Sequence, residues 1–124
     1  MTTEQGRTGG SLPSVSVQEA AAALADGSNA RLIDVRETDE FVQLRVDGAA
    51  LVQLGSLGER FTELPQDAPL LMLCRSGGRS GRATAFLLQQ GFADVRNVEG
   101  GMIAWKNAGL PTRSGQLTDG EGDL

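Results

Sequence analysis

The sequence predicts an α/β domain with three layers, α/β/α, around a five-stranded and mostly parallel sheet. Short apolar runs alternate with amphipathic stretches along the chain, which is the pattern of strands followed by covering helices. The run over residues 70–73 is apolar at every position, as is typical of a central parallel strand buried on both faces. Parallel neighbours need crossover connections, so we expect helices on both faces of the sheet.

The first half of the chain carries three predicted strands and two predicted helices. Ser16 and Glu19 have the spacing of a capping box and alanines follow them, which favours the start of a helix. The apolar run from Arg31 to Val35 is too short for a surface helix and is predicted as a strand. The strands are predicted over residues 14–17, 31–35 and 49–54, and the helices over residues 18–25 and 39–44.

The second half repeats the alternation. Leu57, Phe61 and Leu64 share one face of a predicted helix that Pro65 ends. A glycine-rich turn after the central strand leads into a longer helix that ends before Gly91. The helices are predicted over residues 56–64, from this turn to residue 90, and over 102–108; the strands are predicted over residues 70–73 and 95–98.

The 124 residues fit one folded domain, because domains of roughly 100–200 residues are the norm. We expect that domain over residues 14–112. Residues 1–13 are polar and glycine-rich and are predicted to be a flexible N-terminal segment. Residues 113–124 carry three acids and three glycines with little to bury, and are predicted to be a flexible acidic C-terminal tail.

The composition excludes several common classes of active site. With no histidine and one cysteine, the chain can form neither a Ser-His-Asp nor a Cys-His nucleophile pair, nor a common zinc site, and we expect no metal and no cofactor. The net charge of −5 argues against nucleic acid or an anionic membrane surface as a partner. A lone cysteine and the absence of a visible signal peptide or apolar span favour a cytoplasmic location.

Chemistry is predicted at Cys74, which ends the central strand and leads into a glycine-rich turn before a helix. In open α/β sheets this edge is where ligands bind. The turn allows successive backbone N–H groups to point into one concavity, and the helix behind adds partial positive charge. The turn is therefore predicted to bind an anion.

Arginines strengthen this prediction. Residues 68–93 contain Arg75, Arg79 and Arg82 and no carboxylate. Helix starts favour acids, so cations there suggest compensation by a bound anion. The same field is expected to lower the pKa of Cys74 and to keep its thiolate exposed at the rim of the sheet. The structural alternatives are an inert core cysteine and solvated surface arginines.

Two further features have structural and functional interpretations. Asp34 and Arg36 end the second predicted strand, where they form either an ion pair or cap, or a support for the active loop. Trp105 is expected to be a core or lid residue, since a single aromatic on an amphipathic helix usually packs.

The order and spacing of six motifs resemble those of the single-domain rhodanese-like sulfurtransferases, over about residues 14–112. The motifs are Leu32-Ile-Asp-Val-Arg-Glu37 with Glu40-Phe41, Gly48-Ala49, Cys74-Arg-Ser-Gly-Gly-Arg-Ser80, Gly91-Phe92, Val98-Glu-Gly-Gly-Met-Ile-Ala-Trp105 and Gly109-Leu-Pro111. The resemblance implies a domain whose cysteine takes a sulfane sulfur from a donor and holds it as a persulfide.

The resemblance also implies roles for individual residues. Cys74 corresponds to the nucleophile, and Asp34 and Arg36 to a supporting aspartate-valine-arginine motif. Arg79 corresponds to a contact for the donor anion. The loop around the persulfide corresponds to Arg75, Ser76, Gly77, Gly78, Arg79 and Ser80.

One motif of this chain differs from the family pattern, and the charge of the loop favours an anionic sulfur donor. Many relatives have Gly-His-Ile where this chain has Leu44-Arg45-Val46, which affects the entrance to the site. Relatives that use mercaptopyruvate have a nearly uncharged loop, whereas Arg75 and Arg79 suit a small dianion such as thiosulfate. With no second cysteine, the acceptor has to be external: cyanide, a small thiol or a protein thiol.

Two other functions are compatible with parts of this pattern. A non-catalytic or relay module would pass sulfur to a protein partner with slow turnover in isolation. A phosphatase or arsenate reductase also uses a thiolate in an anion-binding loop. That loop needs one residue more than the four that separate Cys74 from Arg79, and Ser80 stands where its arginine would be, so loop geometry argues against it.

Overall fold

A computed structural model describes residues 12–124, which form a five-stranded parallel sheet with strand order β1-β5-β4-β2-β3. The predicted α/β class is therefore confirmed. The strands are β1 (Ser14–Val15), β2 (Arg31–Asp34), β3 (Ala50–Leu51), β4 (Leu70–Leu73) and β5 (Val95–Val98). The helices are α1 (Val17–Ala25), α2 (Thr38–Gln43), α3 (Leu57–Arg60), α4 (Gly78–Gln89) and α5 (Gly101–Asn107), with 3₁₀ turns at Leu54–Ser56 and Phe61–Glu63 flanking α3.

Three predicted elements differ from the observed ones by more than one residue at an end. β1 and β3 are shorter than predicted because they are the sheet edges, each paired on one side only. The helix predicted over residues 56–64 is divided between α3 and its flanking 3₁₀ turns, and Gly55 and Gly58 lower helix propensity there. None of the helices formed by residues 12–124 has the length and apolarity that a membrane span requires.

The capping box of α1 is confirmed. The hydroxyl of Ser16 accepts a hydrogen bond from the Glu19 N–H at 3.0 Å, and the Ser16 N–H donates to the Glu19 carboxylate at 2.8 Å. Two donors at the helix start, which have no partner within the helix, are thereby satisfied.

The core lies on both faces of the sheet. Side chains alternate along β4, so Leu70 and Met72 pack under α3 and α4 while Leu71 and Leu73 face α1, α2 and α5. All four are fully buried, as predicted for a central strand. Trp105 is a core residue, 3% exposed, and its indole N–H donates to the Pro111 carbonyl at 2.9 Å.

The C-terminal segment, residues 113–124, packs against the domain, which differs from the predicted flexible tail. Arg45 and Arg113 exchange two backbone hydrogen bonds of 2.8 and 2.7 Å, and the Leu51 N–H donates to the Gly122 carbonyl at 2.7 Å. The guanidinium of Arg45, 1% exposed, binds the Glu121 carboxylate. The segment is therefore packed against the domain despite its low apolar content, because the buried Arg45 binds it. Residues 1–11 of the predicted N-terminal segment lie outside the described residues.

Candidate active site

The turn between β4 and α4 closes around one sulfur atom. The Gly77 N–H donates to Sγ of Cys74 at 3.1 Å, and the Ser80 hydroxyl lies 3.2 Å from the same atom. Gly77 has φ of +109°, a left-handed conformation that favours glycine, and it directly precedes the start of α4 at Gly78. The chain reversal therefore brings a backbone donor and a side-chain donor to the thiol.

Cys74 is buried, with 1% of the residue exposed. This corrects the prediction of an exposed thiolate at the rim. The cysteine belongs to the core cluster on the α3 and α4 face, and the turn covers it from above. The sulfur thus lies at the floor of the loop and is held away from bulk water.

The pKa of Cys74 is lowered, as predicted, but by a different cause. Burial is the largest effect and acts to raise this pKa; hydrogen bonds from Ser80, Gly77 and Ser76 together outweigh it. The main stabilisation of the thiolate therefore comes from the hydroxyl and the loop amides rather than from guanidinium groups.

The start of α5 fixes the backbone of the nucleophile. The N–H groups of Met102 and Ile103 donate to the carbonyls of Cys74 and Arg75, at 2.9 and 3.1 Å. These donors at a helix start have no partner within the helix. Gly101 has φ of +57°, and a Cβ there would stand 2.6 Å from the Arg75 carbonyl carbon. Only glycine permits so close an approach of α5 to the loop.

Arg79 is paired with a carboxylate of the chain itself, whereas the sequence predicted that a bound anion compensates the loop arginines. Its two terminal nitrogens donate to the two oxygens of Glu40, at 2.7 and 2.9 Å. The hydrogen bond from Arg79 is the first cause that lowers the pKa of Glu40 to about 2. This pair could not be predicted from local sequence patterns, because 39 residues separate its members.

The other loop arginine remains exposed. Arg75 has no carboxylate within ion-pair distance in the part of the chain that the structure describes. It lies beside a groove between α2 and α5. The loop therefore presents one neutralised and one unpaired guanidinium.

Asp34 and Arg36 form a buried ion pair of 2.8 Å, which confirms the structural interpretation. Arg36 also donates to the Leu44 carbonyl at 2.7 Å, beyond the end of α2. Among the described residues, neither side chain has a hydrogen bond to the loop. The pair holds α2, and α2 carries the Glu40 that binds Arg79.

Comparison with known proteins gives the family. A model of the Rhodanese-like domain matches residues 16–108 of the chain, which is most of its length. The chain belongs to the rhodanese-like family.

Sulfurtransferases are among the relatives of this rhodanese-like domain. It is 40% identical over 88 residues to a protein of Allochromatium vinosum named "Sulfurtransferase", covering 71% of this chain and 82% of that one. It is 38% identical over 84 residues to the "Probable adenylyltransferase/sulfurtransferase MoeZ" of Mycobacterium tuberculosis, covering 66% of this chain and only 21% of the relative.

Solved structures show the same fold. The rhodanese-related protein of Thermoplasma volcanium superposes with a TM-score of 0.76 at 26% identity, covering 82% of this chain and 97% of that one. The thiosulfate sulfurtransferase of Pseudomonas aeruginosa superposes with a TM-score of 0.78 at 28% identity, covering 86% of this chain and 21% of that one.

One residue of this rhodanese-like site was not predicted from the sequence. Asn97, on β5, accepts from the Ser80 hydroxyl at 2.6 Å and donates from Nδ2 to the Gly77 carbonyl at 3.2 Å. It thus links the two donors of the thiol. The available signal was a polar side chain within a short strand next to β4.

The departure from the family motif has a structural explanation. Arg45 binds the C-terminal segment, and Leu44, one residue earlier, lines the groove beside Arg75. In this rhodanese-like domain the substituted motif therefore contributes an apolar wall near the loop and a binding site for the chain's own C-terminus.

Proposed function

We propose that this rhodanese-like domain is a thiosulfate-type sulfurtransferase that carries a sulfane sulfur as a persulfide on Cys74. The observation that carries the proposal is the pair of donors on Sγ, from the Gly77 N–H and the Ser80 hydroxyl, together with the lowered pKa of that thiol. A thiolate is the nucleophilic form of cysteine. These donors are suited to an anionic sulfur.

In the loading step, the Cys74 thiolate attacks the outer sulfur of thiosulfate. An S–S bond forms to Sγ, the S–S bond of thiosulfate breaks, and its electron pair leaves with sulfite. The enzyme then carries a persulfide anion. Preorganised loop amides stabilise this negative charge without reorganisation during the reaction.

The two loop arginines have different proposed roles. Arg75 is exposed and without a carboxylate partner in residues 12–124, so it is the first cation that a dianionic donor meets. Arg79 reaches the donor only by sharing its guanidinium with Glu40, or by leaving it. Donor binding and the Glu40 ion pair therefore compete for Arg79.

In the transfer step, cyanide or an external thiolate attacks the outer sulfur of the persulfide. The bond to Sγ breaks and its electron pair returns to Cys74 as the thiolate. No second cysteine exists in the chain to accept the sulfur. We place this chemistry in the cytoplasm, where thiols stay reduced.

The test is direct loading of the full chain. Incubation with thiosulfate followed by intact-mass measurement should show one added sulfur that disappears when cyanide is added. Cys74→Ala is the control and should show none, and mercaptopyruvate tested in parallel should load less. The absence of an adduct on the wild-type chain, or an equal adduct on Cys74→Ala, would refute the proposal.

A relay function is the second candidate, favoured by the burial of Cys74 at 1% exposure. One relative, 30% identical over 95 residues and covered by this chain over 51% of its length, is named "Putative sulfur carrier protein YrkF" in Bacillus subtilis. Steady-state formation of thiocyanate separates the two functions. A turnover enzyme cycles with cyanide, whereas a relay loads once and transfers well only to its partner.

A further inference from the structure

A groove of about 200 Å³ lies beside the loop, between α2 and α5. Leu44, Met102 and Ile103 give it apolar walls. Ile103 is 42% exposed and is one of two large exposed apolar side chains in residues 12–124. Thiosulfate and cyanide are small and polar, so apolar walls contribute nothing to their binding. The apolar surface of the groove is therefore not explained by these substrates.

The groove is also positively charged. Of its ionised residues, Arg36 is neutralised by Asp34, and Glu40 is neutralised by Arg79. Arg75 and Lys106 have no carboxylate within ion-pair distance among the described residues. Two unpaired cations thus flank an apolar surface, on a chain whose net charge is −5.

We propose that this groove docks an acidic segment of a protein sulfur acceptor. An apolar side chain of the segment would pack between Leu44 and Ile103, and its carboxylates would lie near Arg75 and Lys106. Arg75 directly follows the nucleophile in the chain, so a segment bound there is held next to the loop. The inference rests on the proposed function, because it names the acceptor of that same persulfide.

The docked segment presents its cysteine to the persulfide. The acceptor thiolate attacks the outer sulfur, a new S–S bond forms on the acceptor, and the bond to Sγ of Cys74 breaks with its electron pair returning to Sγ. Acceptor and persulfide are both anions, so cations that hold an acidic acceptor also offset the repulsion between them.

Two synthetic peptides test the docking. Acetyl-Glu-Leu-Glu-Cys-amide and acetyl-Lys-Leu-Lys-Cys-amide have the same length and carry opposite charges at two positions. Their rates are compared per concentration of thiolate. Loaded protein is mixed with each peptide, and loss of the added sulfur is followed by mass. We expect the acidic peptide to react about tenfold faster at low salt, with the difference shrinking as salt is added.

Lys106→Glu should reduce that preference several-fold and should slow transfer to 2-mercaptoethanol, whose only charge is its reacting thiolate, much less. Arg60→Glu makes the same charge change on α3, outside the groove, and should leave most of the preference intact. Equal thiolate-corrected rates for both peptides, or equal effects of the two variants, would overturn the docking proposal. Failure of the chain to load from thiosulfate would instead overturn the proposed function, so the two failures are distinguishable.

Discussion

The Ser80 hydroxyl lies 2.6 Å from Oδ1 of Asn97 and so joins α4 to β5 beside the nucleophile. The amide nitrogen of Asn97 donates to the Gly77 carbonyl, which turns Oδ1 toward the hydroxyl. A hydroxyl has one proton, and Sγ of Cys74 is a second acceptor for it at 3.2 Å. Ionisation of the thiol therefore changes which acceptor the Ser80 proton favours.

Ser80→Ala tests the role of that hydroxyl. Loss of the strongest hydrogen bond that lowers the pKa of Cys74 should raise this pKa, so less thiolate is present at neutral pH. Hydrogen bonds to charged groups contribute about 1.5–3 kcal/mol, so we expect alkylation by iodoacetamide at pH 7 to slow by about tenfold or more. The pH profile of alkylation should shift to higher pH. Ser28→Ala, at an exposed serine, is the control, and an unchanged profile in Ser80→Ala would contradict this role.

Glu40→Gln tests the competition for Arg79. The substitution removes the charge that pairs with the guanidinium, so Arg79 becomes available to the donor. The Glu40 side chain also accepts from the Glu37 N–H at the start of α2, and glutamine can keep that bond. We expect the KM for thiosulfate to fall several-fold with the helix intact by circular dichroism. A higher KM would mean that Glu40 instead positions Arg79 for the donor.

The sequence predicted those parts of the site that follow from local patterns. The apolar run of β4 and the glycine-rich turn after it located Cys74 and its loop, because strand burial and turn chemistry are visible in adjacent residues. Other residues pair with side chains that are distant in the sequence, and no periodicity predicts such pairs. These residues are Glu40, Asn97 and Glu121. The burial of Cys74 was missed for a related reason, since the residues around it come from several elements that only the fold brings together.

The paired carboxylates predict a loss of stability in acid. The pKa values of Glu40 and Glu121 are held at about 2, first by hydrogen bonds from Arg79 and Arg45. In the unfolded chain these groups take up protons near pH 4.5, whereas in the folded chain they do so only near pH 2. The stabilisation is therefore present above about pH 4.5 and is lost as the pH falls toward 2.

Urea denaturation of Glu121→Gln at several pH values checks this linkage. At pH 7 the variant should unfold at lower urea, because the buried Arg45 loses its charged partner. The difference should shrink as the pH falls toward 2, since the wild-type carboxylate then becomes increasingly protonated. Glu63→Gln, which breaks an exposed pair with Arg60, is the control and should change little at any pH. A constant difference between Glu121→Gln and the wild-type chain from pH 7 to pH 2 would contradict the linkage.

Gly101→Ala tests the contact between α5 and the loop, and Gly109→Ala is its matched control. Both glycines have positive φ, +57° and +73°, so alanine at either site is strained by about 1–2 kcal/mol. At Gly109 a Cβ meets nothing within 4 Å, whereas at Gly101 it meets the Arg75 carbonyl carbon at 2.6 Å. Gly101→Ala should therefore lose about 1–3 kcal/mol more of the free energy of unfolding.

The same substitution should also affect catalysis. Relief of the clash would move the backbone of Cys74 and Arg75, whose carbonyls accept hydrogen bonds from Met102 and Ile103. We expect Gly101→Ala to load sulfur from thiosulfate much more slowly under conditions in which it is still folded, while Gly109→Ala loads at the wild-type rate. Equal loading by the two variants would mean that the start of α5 contributes to stability alone and does not set the geometry of the loop around Cys74.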